Sequence, residues 1–264
     1  MKKRIRVGIL FGGRSGEHAV SLVSAASVIK ALNPAKYEAV PIGVSREGRW
    51  HVGSKALKRL SDVFEFGTAV MPSVDPQGPK LVPLDNARHQ KALPKLDVIF
   101  PVLHGTFGED GTVQGVLELA GIPYVGAGVL GSAAGMDKDV MKRLFRDADL
   151  PVVDWVMVLR CEWEKGAERL RRQIESTLGY PLFVQQANLG SSVGISKVHN
   201  RPELGPALDL AASYDRKIIV EKGLDAREVE CSVLGNDQPE ASVPGEIVSV
   251  NEFYDYEEKY VKEA

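Results

Sequence analysis

At 264 residues the chain is near the length at which a single hydrophobic core stops growing, so two or more domains are expected. Hydrophobic residues make up 44% and charged residues 26%, with a formal charge of -2 from interspersed acids and bases; nothing here favours binding to nucleic acid or an anionic membrane. Apolar runs are strand-sized and a glycine interrupts "MKKRIRVGIL" early, while Cys161 and Cys231 stand alone, so neither a membrane span, an export signal, a disulfide framework nor a CxxC metal pair is expected, and a reducing cytoplasm is.

The first strand, "RIRVGILF", is nearly continuous in aliphatic residues, as a strand buried on both faces of a parallel sheet should be. It stops at Gly12-Gly13, and a helix follows with Leu22, Ala25, Ala26, Ile29 and Leu32 on one face. Strands at "YEAVPIGV" and "LDVIFPVLHG", a helix around "VQGVLELAG" and a short strand at "PYVGA" complete an alternating α/β pattern. Residues 61–94, rich in prolines and polar turns, read as an irregular insertion.

After Met136 come a helix "DKDVMKRLFRDADL", a strand "VVDWVMV", a long amphipathic helix from Trp163 to Leu178, the strand "PLFVQQ", a strand "GISKV", a further helix and the strand "KIIVEKG". These form a second, α+β unit. From Arg227, "REVECSVLG" and "EASVPGEIVSV" read as antiparallel strands opening a third unit that is incomplete at Ala264. The predicted boundaries are 1–135, 136–222 and 223–264.

Three glycine patterns compete. Gly126, Gly128 and Gly131 satisfy GxGxxG, but the preceding strand is short and the first βα turn is "GGRSGEH", so a dinucleotide turn is set aside. Gly190, Ser192 and Gly194 satisfy GxSxG, yet the only later histidine is His199 with no acidic residue before it, so a hydrolase elbow is set aside. The same segment is either a phosphate cradle, with backbone amides and the hydroxyls of Ser191 and Ser192 facing an anion, or a glycine-rich hairpin. Lys138 opens a helix that Asp137 would cap, where the dipole disfavours a cation unless an anion is near. Glu221, Lys222 and Glu228, at and after a strand end, suit an adenine amine and ribose hydroxyls or a solvated strand end. Glu17, in a first helical turn, stabilises the dipole in any case.

In order and spacing, "GGRSGEHAVSLVSA", "HGTFGEDGTVQGVLELAGIPYVG", "MDKDVMKRLF", "GSSVGISKV", "IVEKG" and "EFYDYEEKY" closely resemble the bacterial D-alanine–D-alanine ligases of the ATP-grasp superfamily, over essentially the whole chain. The resemblance implies a pre-ATP-grasp N-terminal domain with a parallel sheet, followed by an ATP-grasp α+β domain, and ATP-dependent formation of D-alanyl-D-alanine through a D-alanyl phosphate. It implies that Glu17 holds the ammonium of the first D-alanine with His104 beside it. Ser191 and Tyr260 would bond with Glu17 and fasten a lid that carries Lys259. Lys138, Lys259, Ser192 and Val193 would face the phosphates, and Glu221, Lys222 and Glu228 the nucleoside. It further implies Mg2+, with its ligands expected after Ala264, and a homodimer. Gln185-Gln186 stand where the family carries Lys-Pro, so Gln185 would offer the phosphates a neutral donor in place of a cation. D-alanyl-D-lactate formation, another ATP-grasp carboxylate–amine ligation and a non-catalytic ligand-binding fragment are the competing readings.

Overall fold

The structure is a computed structural model that describes residues 3–53, 59–84, 93–190 and 194–248. The chain divides into two compact units, Met1–Leu150 with Ala187–Gly190, and Pro151–Gln186 with Ser191–Ala264.

In chain order the first unit holds β1 (Ile5–Gly12), α1 (His18–Ala31), β2 (Tyr37–Val44), β3 (Trp50–Val52), α2 (Val63–Phe66), β4 (Thr68–Pro72), β5 (Leu81–Pro83), β6 (Val98–Pro101), α3 (Thr112–Leu119), α4 (Val129–Met136) and α5 (Lys138–Asp147). One six-stranded sheet runs in the order β5-β4-β3-β2-β1-β6, with β1 parallel to both neighbours and β3, β4 and β5 added antiparallel beyond β2. Along β1, Val7, Ile9 and Phe11 pack with Ala25 and the half-buried Leu22, Val28 and Ile29 of α1. Leu10 points the other way, into a cluster with Ile42, Ile99 and the α3 residues Val113 and Leu117. Helices therefore cover both faces, which is why β1 reads as an unbroken apolar run rather than an alternating one. Burying each of the fully buried large side chains, such as Ile9, Phe11 and Leu10, contributes roughly 1.5–3 kcal/mol.

Two expectations need correction. Ala26 is exposed, so the buried stripe of α1 is narrower than its apolar positions imply. Residues 61–94 are not simply irregular: β4 and β5 lie within them and extend the sheet antiparallel, β5 forming its edge, with Val70 and Leu81 buried. Their prolines, Pro72 and Pro83, end these strands at the sheet margin, where a missing N–H is tolerated.

The second unit holds β7 (Trp155–Leu159), α6 (Arg160–Leu178), β8 (Leu182–Gln186), β9 (Ser196–Val198), α7 (Arg201–Tyr214), β10 (Lys217–Lys222), β11 (Glu228–Glu230), β12 (Val233–Leu234), β13 (Glu240–Ala241) and β14 (Gly245–Ile247). Its main sheet, ordered β7-β10-β8-β9, is antiparallel throughout. One face carries Val158, Leu182, Val184, Ile218 and Val220 onto Leu170 and Ile174 of α6 and Leu204, Leu208 and Ala211 of α7. Asn200 caps α7 by accepting from the Glu203 N–H, with Pro202 in the first turn, where its missing N–H costs nothing. Farther on, β11 pairs with β14 and β12 with β13, all antiparallel.

Candidate active site

In the first unit β1 ends at Gly12, whose φ of +91° turns the chain toward α1; a Cβ there would lie 2.3 Å from the Val44 carbonyl oxygen. The turn delivers Ser15 and Glu17 to the start of α1. The segment after β6 is fastened to the same place: Ser15 Oγ donates to the His104 carbonyl at 2.7 Å, and Ser24 Oγ lies 2.9 Å from His104 Nε2. Next in the chain, Gly105 has φ +71°, and a Cβ on it would fall 2.4 Å from Glu17 Oε2. A Cβ on Gly190 would sit 3.4 Å from the same oxygen. Glu17, 5% exposed, thus lies beside two glycines, and a side chain at Gly105 would collide with its carboxylate while one at Gly190 would reach only ordinary contact. A buried carboxylate is suited to a cationic partner such as an ammonium.

Two acids that the sequence reading did not single out shape this loop. Glu109 Oε2 accepts from the Gly105 N–H at 2.7 Å, and Asp110 accepts from the Phe107 and Thr112 N–H groups at 2.8 and 3.1 Å. The signal was present in "GEDGT", since acids just before a helix commonly hold turn amides.

Lys138 stands at the head of α5, where Asp137 accepts from the Asp139 and Val140 N–H groups at 3.1 Å each, the cap expected from the sequence. The Lys138 ammonium donates to the Leu189 carbonyl at 2.6 Å and its backbone N–H to Ala187 at 3.1 Å, so it grips the segment leading into the Gly190–Gly194 loop. With Leu189, Gly190, Glu109, Ser132 and Met141 it lines a cavity of about 510 Å³. Asp137→Ala should cost about 1 kcal/mol, the usual worth of such a cap. Urea unfolding checks this, and an unchanged midpoint would show that the cap is not used.

In the second unit β8 and β9 pair antiparallel. Register places Phe183 opposite both Glu221 and Lys197, and Gln185 opposite Ile219; these residues share the face away from Leu182 and Val184. Gln185 Nε2 donates to Glu221 Oε2 at 2.5 Å. The Lys197 ammonium lies 5.8 Å from the centre of the Phe183 ring. Lys197 went unnoticed in the sequence reading, although the alternation in "ISKV" would put it on one face of its strand. Lys222 is exposed, with its N–H on the Asp154 carbonyl, and Glu228 is exposed at the first position of β11. The structure brings Gln185 to Glu221. Ser191, Ser192, Val193, Lys259 and Tyr260 lie outside the described residues.

The sheet orders and the glycine-lined carboxylate define an α/β protein of the ATP-grasp ligase type, and comparison with known proteins agrees. Family models described as D-ala D-ala ligase N-terminus and D-ala D-ala ligase C-terminus match residues 6–127 and 144–264. A D-alanine–D-alanine ligase of Natranaerobius thermophilus is 50% identical over 263 residues, covering 98% of this chain and 71% of that protein. One of Heliobacterium modesticaldum is 52% identical over 255 residues, covering 96% and 69%. Among solved structures, the D-alanine–D-alanine ligase of Coxiella burnetii superposes with a TM-score of 0.81 at 35% identity, covering 93% of this chain and 71% of that one. The VanG D-Ala:D-Ser ligase of Enterococcus faecalis gives 0.82 at 36%, covering 98% and 74%. The chain belongs to the D-alanine–D-alanine ligase family.

Proposed function

We propose that this chain joins two D-alanines at the expense of ATP, releasing ADP and phosphate. The observation that carries this reading is the Glu17 carboxylate held between Gly105 and Gly190. A buried carboxylate calls for a positive partner, and the ammonium of a first D-alanine supplies the opposite charge. Its carboxylate attacks the γ-phosphoryl group, forming an acyl phosphate and expelling ADP; the amine of a second D-alanine then attacks the acyl carbon and displaces phosphate, losing a proton as the peptide bond forms. The work of the protein is placement and charge neutralisation. Glu17 and His104 hold the first substrate, while Lys138, with Lys259 on a lid that Tyr260 and Ser191 fasten, faces the phosphates. Ser192 and Val193 offer backbone amides, and Glu221, Lys222 and Glu228 hold the nucleoside. Among the described residues no group of three or more His, Cys, Asp or Glu side chains is placed to hold a metal ion; Mg2+, which the family reading includes, would supply positive charge at the phosphates when bound.

The structural likeness to a D-Ala:D-Ser ligase favours a second reading, in which the acceptor is another small D-configured molecule. ADP release should require D-alanine and should not respond to L-alanine, and product analysis with D-serine or D-lactate added reveals the acceptor. Equal ADP release with L-alanine would overturn both readings. Among the described residues no helix is long and apolar enough to cross a membrane, and we place the reaction in the cytoplasm, where precursors of the cell wall are made. We also propose a homodimer, as the family reading includes. Sedimentation analysis of the wild type should find a dimer, and a monomer would contradict this assignment.

A further inference from the structure

Resting on the reading of Glu17 and His104 as the first D-alanine site, we infer that Phe107 and Arg14 form a clasp that holds the two loops of this site together, which makes Phe107 a positioning residue for substrate binding. Phe107 has φ +65°, a left-handed conformation that is costly for an aromatic residue. The surrounding structure holds it there. Asp110 accepts from the Phe107 N–H at 2.8 Å through one carboxylate oxygen, and from the Thr112 N–H and hydroxyl through the other, at 3.1 and 2.6 Å. The Phe107 ring lies under the Arg14 guanidinium, whose carbon is 4.5 Å from the ring centre. A Cβ on Gly48, at φ +90°, would come 3.0 Å from Arg14 Cδ, so the turn at Gly48 leaves the arginine stem its path.

The clasp matters because of where it falls in the chain. Arg14 precedes Ser15 and Glu17 in the turn after β1, and Phe107 follows His104 and Gly105 in the segment after β6. The bond from Ser15 Oγ to the His104 carbonyl ties the two segments just before Gly105, and the contact of Arg14 with Phe107 ties them again just after it. Gly105 is therefore held on both sides, at the point where a Cβ would fall 2.4 Å from Glu17 Oε2. Opening the clasp would let Phe107 relax toward a negative φ, and that rotation would shift Gly105, two residues away, against the Glu17 carboxylate. Backbone strain of this kind persists only where neighbouring groups hold it, and here one of those groups stands on the opposite loop of the site. Phe107 acts on D-alanine through Gly105 and Glu17, without touching it.

Steady-state rates of ADP release, with D-alanine and ATP each varied, test the clasp in the wild type, Phe107→Asn, Arg14→Met and the double variant. Asparagine accepts the left-handed backbone and removes the ring, while methionine keeps an apolar stem and removes the charge. Arg14 is exposed, so its variant tests the clasp whatever Phe107→Asn does to folding, which melting curves report. Each single variant should raise KM for D-alanine about two- to fivefold, the equivalent of one exposed cation–π contact, with kcat and KM for ATP unchanged. The double variant should lose no more than the more impaired single, because one contact is broken only once. Phe107→Tyr, which keeps the ring, should behave as the wild type. An unchanged KM for D-alanine, additive losses in the double variant, or a tyrosine variant as impaired as the asparagine one would overturn the inference. So would a fall in kcat alone, the sign of a merely less stable protein. Glu17→Gln separates the clasp from the reading beneath it. If that variant keeps wild-type kinetics for D-alanine, the substrate does not bind at these loops and both fall. If it is impaired while both clasp variants keep the wild-type KM, only the clasp falls.

Discussion

Glu17→Gln should lower kcat/KM for D-alanine by roughly 30- to several-thousand-fold, the kinetic equivalent of about 2–5 kcal/mol for removing one partner of a desolvated charge pair. The substitution preserves shape, so the slot between Gly105 and Gly190 stays filled and the loss reports charge rather than packing. Stability should change far less. A carboxylate at the start of a helix contributes about 0.3–1 kcal/mol through the dipole, which corresponds to a melting shift of a few degrees at most. Initial rates of ADP release across a D-alanine series, together with melting curves, measure both effects. Activity within about threefold of wild type would mean that Glu17 does not meet the substrate ammonium.

Gly105→Ala should be at least as damaging, for a steric reason. At φ +71° a residue other than glycine costs roughly 1–2 kcal/mol. The added Cβ would also approach Glu17 Oε2 to 2.4 Å, well inside contact distance. Neither atom has an easy retreat: the Gly105 N–H is held by Glu109, and the carboxylate is backed by Gly190. The carboxylate must leave its seat or the loop must shift, and D-alanine turnover should drop to the level of Glu17→Gln, with a melting point lower by several degrees. Gly16→Ala is the matched control. It changes the residue adjacent to Glu17 in the chain, but its Cβ would meet nothing within 4 Å, so its activity should stay near wild type. Full activity in Gly105→Ala would show that the slot is looser than this geometry, and equal losses in both variants would show that the segment tolerates no alanine for reasons unrelated to Glu17.

Much of this arrangement was legible in the sequence because it rests on local rules. The unbroken apolar run of β1, the Gly12-Gly13 stop and the Asp137 cap are each decided within a few residues, and all three stand in the structure. What escaped was set by distant partners or by weak local signals. Strands β4 and β5 are short and proline-ended, so they resemble turns until the sheet edge that pairs with them is known. Helix α4, "VLGSAAGM", went unrecognised because its glycines lower helix propensity and its approach satisfies a dinucleotide pattern; five of its eight residues are still not glycine or serine, and Gly128 precedes it in extended conformation. The hydrogen bond from Gln185 to Glu221 could not be foreseen, since it depends on β10 lying between β7 and β8 against their order in the chain. Only once that order is known do two residues far apart in sequence become neighbours on one face.

The central claim is that the carboxylate of the first D-alanine attacks phosphorus, and oxygen transfer tests it most directly. If D-alanine labelled with 18O in its carboxyl group is incubated with the protein and ATP, the attacking oxygen becomes the bridge of the acyl phosphate and leaves with the phosphate when the second amine displaces it. Mass spectrometry of the products should therefore find one 18O in each phosphate released and one D-alanyl-D-alanine for each ADP. Dipeptide accompanied by unlabelled phosphate, or ADP and phosphate formed without dipeptide, would contradict the account.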